Sequence, residues 1–251
     1  MITSIDNPRV KEVLRLRRSR ERRRSGLFVV EGQREIERAR AAGLRFQATY
    51  VSPELLAAGR LAAPATPSAD TEEVTARVLR HMAYRAAPEG AIAVVEAPTH
   101  TLPASPSLVL VAVGVEKPGN LGAMARSAEA AGADALLVAD GAFDPWNPNA
   151  VRASTGAVFT LPVVASTLDE LRTLSLRRVA AVVGARTAHT DADLRAPTAL
   201  IVGAEDRGLD ERWQAAADET VSIPMRGTAT DSLNASAAAA VLLFEAVRQR
   251  G

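Results

Sequence analysis

"SIPMRGTATDSLNASAAAAVLLFEAV", residues 222–247, joins an apolar strand end, Ile223-Pro224-Met225, to a polar loop. The loop runs through Ser232-Leu233-Asn234 into a helix that is apolar nearly all round. Ser and Asn compete for backbone hydrogen bonds inside a helix and favour its start. Where a buried helix begins they either cap it or face a ligand, and both readings stand at this point.

Working outward from that stretch, apolar strands alternate with helices. "SLVLVAVGV" (107–115), "ALLVAD" (135–140), "LPVV" (161–164), "RVAAVVGA" (178–185), "TALIVGAE" (198–205) and "TVSIPM" (220–225) read as strands. "NLGAMARSAEAAGA" (120–133), "AVRASTGAVF" (150–159), "LDELRTLSL" (168–176) and "ERWQAAAD" (211–218) read as helices. Such alternation predicts an α/β domain with a mainly parallel sheet covered by helices on both faces. Ligands of such sheets gather at the carboxyl ends of the strands. Four polar or glycine-rich loops fall there: 114–122, 184–191, 203–209 and 224–234.

Residues 98–107, "PTHTLPASPS", have the Pro, Ser and Thr content of a linker. They divide the chain into residues 1–97 and 108–251. In the first part, residues 4–24 predict one basic helix with Val10, Val13 and Leu14 on one face. Strands are predicted over 27–32, 46–52 and 90–97, and helices over 33–43, 54–63 and 71–84, making a smaller α/β unit.

Composition narrows the chemistry. The chain has 251 residues, 47% of them hydrophobic and 24% charged, which is ordinary for a soluble globular protein. It has no cysteine, which excludes disulfides and thiolate chemistry, and His81, His100 and His189 have no ligand-like spacing, so no metal site is expected. No apolar run is long enough to span a bilayer and no signal-peptide core is present, so a cytoplasmic protein is expected. The net charge of +1 is unevenly spread: residues 9–24 carry +7 and the remainder −6. A segment of this kind either forms a solvated helix face or neutralises nucleic-acid phosphates. Without aromatic residues beside it, backbone and shape contacts are expected rather than base stacking.

Two further stretches carry chemistry. In "GVEKPGNLGAMARSAEAAG" (114–132), Gly114 and Gly119 have the spacing of a P-loop, but Asn120-Leu121 stand where that motif needs Lys and Ser/Thr. What remains is a tight loop, Asn120 near a helix start, and Arg126 among Ala and Met, where partial burial would demand an anionic partner. In "LIVGAEDRGLDE" (200–211), Gly203 would allow close backbone approach to a ligand, Glu205 follows, and Gly208 permits a tight return.

Taken together, "NLGAMARSAEAAGA", "VGAEDRGL" and "SIPMRGTATDSLNASAAAAVLLFE" resemble the three motifs of the SpoU (TrmH-like) RNA ribose 2′-O-methyltransferases of the SPOUT superfamily. "RASTGAVFTLPV" (152–163) resembles the segment between the first two, so the resemblance covers about residues 107–250. Residues 1–97 resemble, less specifically, the ribosomal-protein-like α/β sandwich with which many members bind RNA. The family implies a deep trefoil knot in the C-terminal domain and a homodimer formed through that domain. It implies S-adenosylmethionine held by loops around Gly184, Gly203, Ile223, Met225 and Leu233. Arg126 would be the catalytic arginine, surrounded by Asn120, Glu205, Ser232 and Asn234, serving either as proton acceptor or as phosphate clamp. Arg15, Arg17, Arg18, Arg22 and Arg23 become the candidate RNA contacts. The implied reaction is methylation of a ribose 2′-hydroxyl, in 23S rRNA first, with tRNA as the alternative substrate and a non-catalytic RNA-binding or ribosome-assembly role as the alternative from another class. Two departures from the motifs are small: Asp206-Arg207 replaces a commoner small or acidic pair, and Ala237 a frequent Val.

Overall fold

A computed structural model describes residues 1–59, 71–141, 143–229 and 231–251. The chain divides into two compact units, residues 1–99 with 146–159, and residues 100–145 with 160–251.

The first unit opens with α1 (Pro8–Arg15), whose N-cap Asn7 accepts the Arg9 N–H at 2.9 Å. After a turn follows α2 (Ser19–Ser25), closed by Gly26 in the left-handed region at φ 67°. The single helix expected over 4–24 is therefore two helices. Arg22 explains the break: it is buried, and its Nη1 donates to the Leu16 carbonyl at 2.6 Å, satisfying an orphan acceptor at the end of α1. Next come β1 (Leu27–Glu31), α3 (Gln33–Ala41), β2 (Phe46–Val51), α4 (Pro53–Ala58), β3 (Thr71–Glu73), α5 (Ala76–Met82) and β4 (Ala91–Glu96). Their sheet runs β1-β4-β2-β3, with β4 antiparallel to β1 and β2. The helix expected over 71–84 forms only from Ala76, after the Thr75 N-cap, because Thr71–Glu73 pair with Thr49–Val51 as a strand. Of the helix expected over 54–63, the part from residue 60 lies outside the described residues. Val10 and Val13 are buried in the same core as Val29, Tyr50, Leu79 and Ile92, as their spacing predicts.

The second unit begins with β5 (Leu108–Val113), α6 (Pro118–Ala130) and β6 (Ala135–Ala139). Asp134 starts β6 and pins β5, accepting the N–H groups of Ser107 (2.6 Å) and Leu108 (2.9 Å). The chain then enters the first unit, where α7 (Pro148–Ser154) packs on β1 and a 3₁₀ turn spans Ala157–Phe159. The single helix expected over 150–159 is interrupted because Thr155 and Gly156 both take positive φ, 50° and 95°. Back in the second unit lie β7 (Val163–Ala165), α8 (Leu168–Thr173), β8 (Arg177–Ala181), β9 (Thr187–Ala188), β10 (Thr198–Val202), α9 (Glu211–Ala216), β11 (Glu219–Ser222) and α10 (Ala235–Arg250). Among the described residues these strands form a seven-stranded sheet in the order β7-β6-β5-β10-β8-β11-β9, with every neighbouring pair parallel.

All six residues of β5 and all five of β6 and β10 are buried, as expected of central strands covered on both faces. The helices α6 and α10 pack on one another and on this sheet. Among the described residues no helix is long and apolar enough to cross a membrane.

Candidate active site

The sheet order determines what can meet. Strands β5, β10, β8 and β11 are consecutive neighbours and run in the same direction. The loops leaving their carboxyl ends therefore share one edge of the sheet, although they are spread from Gly114 to Asn234 along the chain. At that edge a cleft of about 360 Å³ is lined by Gly114, Val115, Glu116, Lys117, Asn120, Ala204, Glu205, Asp206 and Ala235.

Glu205 organises this cleft. Its Oε1 accepts Asn120 Nδ2 at 2.6 Å and also accepts Asn234 Nδ2, while its Oε2 accepts Lys117 Nζ at 2.6 Å. One carboxylate thus joins three segments that are remote in sequence. The Lys117 hydrogen bond, seconded by those from Asn120 and Asn234, holds the Glu205 carboxyl below its usual pKa despite some opposing desolvation. Reciprocally, Glu205 raises the pKa of the Lys117 ammonium, through the hydrogen bond first and the charge second.

Asn234 has two tasks. Its Oδ1 accepts the Ser236 N–H at 2.9 Å and so caps α10, while its amide nitrogen reaches Glu205. The choice between cap and site residue is resolved as both. Ser232 does not cap the helix; it stands exposed two residues ahead. Lys117 is a site residue that the sequence reading does not single out, although a Lys directly before Pro118-Gly119-Asn120 at a strand's carboxyl end is the available signal.

Arg126 differs from expectation. It is exposed, not partly buried, because α6 turns Leu121, Met124, Ala125 and Ala128 inward and Arg126 outward. Six residues at about 100° each also put Asn120 and Arg126 about 120° apart around the helix. The guanidinium is thus open to a partner from outside the chain.

The expected cofactor residues occupy the same edge. Gly184 takes φ 78° in the turn after β8. Ile223 and Leu233 are half-buried and Met225 is exposed on the segment joining β11 to α10. Gly203 is needed for a reason other than ligand approach: a Cβ there would lie 2.3 Å from the Gly208 carbonyl carbon, so the chain's own return turn occupies that space. The Asp206-Arg207 departure is accommodated at the rim, where Arg207 Nη2 bonds Glu116 Oε1 at 3.0 Å.

The basic segment divides into two kinds of arginine. Arg15, Arg18 and Arg23 are exposed. Arg22 is buried as described, which removes it from the expected RNA contacts. The Nη2 of Arg17 donates to the carbonyls of Ala83 (2.7 Å) and His81 (3.1 Å), closing the end of α5.

Residues 107–244 match the model of the SpoU rRNA Methylase family, and residues 7–93 match that of an MRM3-like substrate binding domain. The chain belongs to the SpoU rRNA methylase family. A 23S rRNA (uridine(2479)-2′-O)-methyltransferase of Streptomyces viridochromogenes is 41% identical over 65% of this SpoU chain, and the match spans 62% of that protein. The 23S rRNA (guanosine(2553)-2′-O)-methyltransferase RlmP of Bacillus subtilis is 30% identical over 97% of each chain. Among solved structures, an RNA 2′-O ribose methyltransferase superposes with a TM-score of 0.86 at 42% identity, covering 99% of this chain and 98% of that one. The SpoU methyltransferase AviRb of Streptomyces viridochromogenes, in complex with AdoMet, gives 0.83 at 32% identity over 97% and 98% of the two chains.

Proposed function

We propose that this SpoU chain transfers a methyl group from S-adenosylmethionine to a ribose 2′-hydroxyl of structured 23S rRNA. The observation that carries the reading is the hydrogen-bonded meeting of Asn120, Glu205 and Asn234, one from each of three separated motifs, where Asn120 and Glu205 line a cleft at the carboxyl edge of a parallel sheet. The relatives named for 23S rRNA methylation and the match of residues 7–93 to a substrate-binding domain support rRNA over tRNA.

The cofactor fits the residues present. Ile223, Leu233 and Met225 leave apolar surface uncovered beside the sheet edge, suited to a purine, and Gly184 gives its loop a left-handed turn. When bound, S-adenosylmethionine supplies a methyl already activated by its sulfonium. The chain must then position the ribose hydroxyl and accommodate its proton. Glu205 is poorly suited to accept that proton, since its oxygens already hold three donors and its pKa is lowered. Its task is to hold Asn120 and Asn234 in place. Arg126, exposed with a planar guanidinium, is suited to a bidentate hold on a phosphate beside the target ribose, with proton acceptor as its alternative role. Ser232, exposed ahead of α10, is read as a hydrogen-bond partner of ribose or cofactor.

Two family properties belong to the same proposal. The segment from β11 to α10 threads a trefoil knot, and a second copy of the chain covers the outer face of α10. The latter is supported by Phe244 and Val247, which are 49% and 36% exposed on that helix. The reading is tested by incubating the protein with 23S rRNA and methyl-labelled S-adenosylmethionine, then mapping the label. Incorporation at one ribose 2′-oxygen is expected; no incorporation, or label on a base, overturns it.

A further inference from the structure

The sequence offers no aromatic residue beside the basic segment, but the fold supplies one. Tyr84 is 46% exposed, and it is the one exposed aromatic of the first unit among the described residues. An unengaged surface tyrosine would swing freely, whereas this one is fixed at several points. Its backbone N–H donates to Glu31 Oε2 at 2.8 Å, and its phenol oxygen accepts Asn149 Nδ2 at 3.2 Å. The carbonyl of the preceding residue, Ala83, accepts Arg17 Nη2 at 2.7 Å, which ties the α1–α2 turn to the residue next to Tyr84.

The charges around the ring are divided in a useful way. Arg15 and Arg18, flanking the tethered Arg17, are exposed. Arg152 is also exposed and lies one helical turn beyond Asn149 on α7, hence on the same side of that helix. The nearby acids are turned to structural use: Glu31 accepts the Tyr84 and Arg85 amides, while Glu35 and Glu89 pair with Arg85 at 3.3 and 2.6 Å. An exposed, hydrogen-bonded aromatic ring, joined through Ala83 to the arginine-bearing α1–α2 turn and through Asn149 to the helix that carries Arg152, combines base stacking with phosphate attraction, the pair of features used to hold single-stranded nucleic acid.

We propose that Tyr84 is a stacking platform for an unpaired base of the RNA substrate, with Arg152 and the arginines of the α1–α2 turn holding the adjacent backbone. The proposal rests on the RNA-modifying reading above and deepens it, placing a base contact in the N-terminal unit where backbone contacts alone were expected.

The test uses the full chain with 23S rRNA, and with a hairpin RNA carrying 2-aminopurine in its loop. Tyr84→Ala and Tyr84→Leu should weaken binding roughly 10-fold while leaving the salt slope unchanged, because stacking is uncharged. Tyr84→Phe keeps the ring but loses the Asn149 bond, so it should bind more tightly than Tyr84→Leu, at or somewhat below the parent, and still quench 2-aminopurine fluorescence, which Tyr84→Leu should not. Arg152→Gln should lower the salt slope by about 1. Parent-like affinity of Tyr84→Ala, with the parent binding RNA, overturns the stacking role and leaves the RNA reading intact. A change in oligomeric state on Tyr84→Ala, with RNA affinity unaltered, also overturns it by making the ring a protein contact. Failure of the parent itself to bind either RNA removes the RNA reading and the platform with it.

Discussion

Asn120 and Glu205, 85 residues apart in the chain, are joined by a 2.6 Å hydrogen bond from Nδ2 to Oε1. The bond exists because β5 and β10 are parallel neighbours, so the loops after them leave from the same edge. Glu205→Gln keeps the shape but removes the charge and part of the acceptor capacity that three donors share. Hydrogen bonds to a charged group contribute about 1.5–3 kcal/mol each. Methyl transfer should therefore fall roughly 10- to 100-fold, with a modest fall in melting temperature as the three-segment junction weakens. A variant of parental activity would show that the junction is not used.

Acid should loosen the same junction. Glu205 has a lowered pKa in the folded protein, so its ionised contribution is present above the ordinary carboxylate range and is lost as pH falls through the lowered value. Cofactor affinity measured against pH should drop on the acid side, below the value of about 4.3 of an unperturbed Glu. Lys117→Met removes the largest cause of the shift and should move that acid limb to higher pH. An unmoved limb would assign the titration to another group.

Arg126→Ala should reduce methyl transfer by about 10²-fold or more, the scale of losing one charge-stabilising group in an active site. Binding of S-adenosylmethionine, followed by calorimetry, should be retained. Since Arg126 is exposed on the outward side of α6, a large loss of stability would point to a structural role instead.

The arginines of the first two helices provide their own control. Neutralising Arg15, Arg18 and Arg23 together should lower the salt dependence of RNA binding by about 0.7–0.9 for each phosphate no longer neutralised. Arg22→Ala should leave that slope alone and cost stability, about 1–3 kcal/mol, because the Leu16 carbonyl loses its buried donor. Salt-titrated binding and thermal melting separate the two effects.

Gly203→Ala forces a methyl group against the backbone of Gly208 and should destabilise the protein or distort the cleft, by about 1–3 kcal/mol or more. Gly119→Ala, in the first turn of α6 with nothing within 4 Å of the added carbon, should be neutral or stabilising by up to about 1 kcal/mol. Equal melting temperatures for the two variants would contradict the close packing at Gly203.

The parallel sheet is legible in the sequence because β5, β6 and β10 are unbroken apolar runs, and its site edge follows from where polar loops interrupt them. The pairing of Asn120, Glu205 and Asn234 is accessible only through the motifs, since no local pattern states which loops become neighbours. The exposure of Arg126 is not legible, because Ala and Met neighbours give α6 only a weak inward stripe, too weak to say which way the sixth residue after Asn120 points. The break in the basic helix is hidden for a related reason. Buried Arg22 and exposed but tethered Arg17 are indistinguishable by composition from the arginines beside them, and only the helix ends in need of donors single them out. Tyr84 has no sequence link to the basic segment at all, because the association depends on a tertiary bond from Arg17 to Ala83.

The excursion of residues 146–159 into the first unit bears on how such enzymes can be dissected and recombined. The ring of Trp146 lies 4.7 Å from that of Phe28, and the ring of Phe159 lies 6.0 Å from it. A fragment ended at the apparent linker would carry Phe28 without either companion. The first unit of this chain is therefore not a detachable cassette: transplanting it requires carrying a second, non-contiguous peptide along with it.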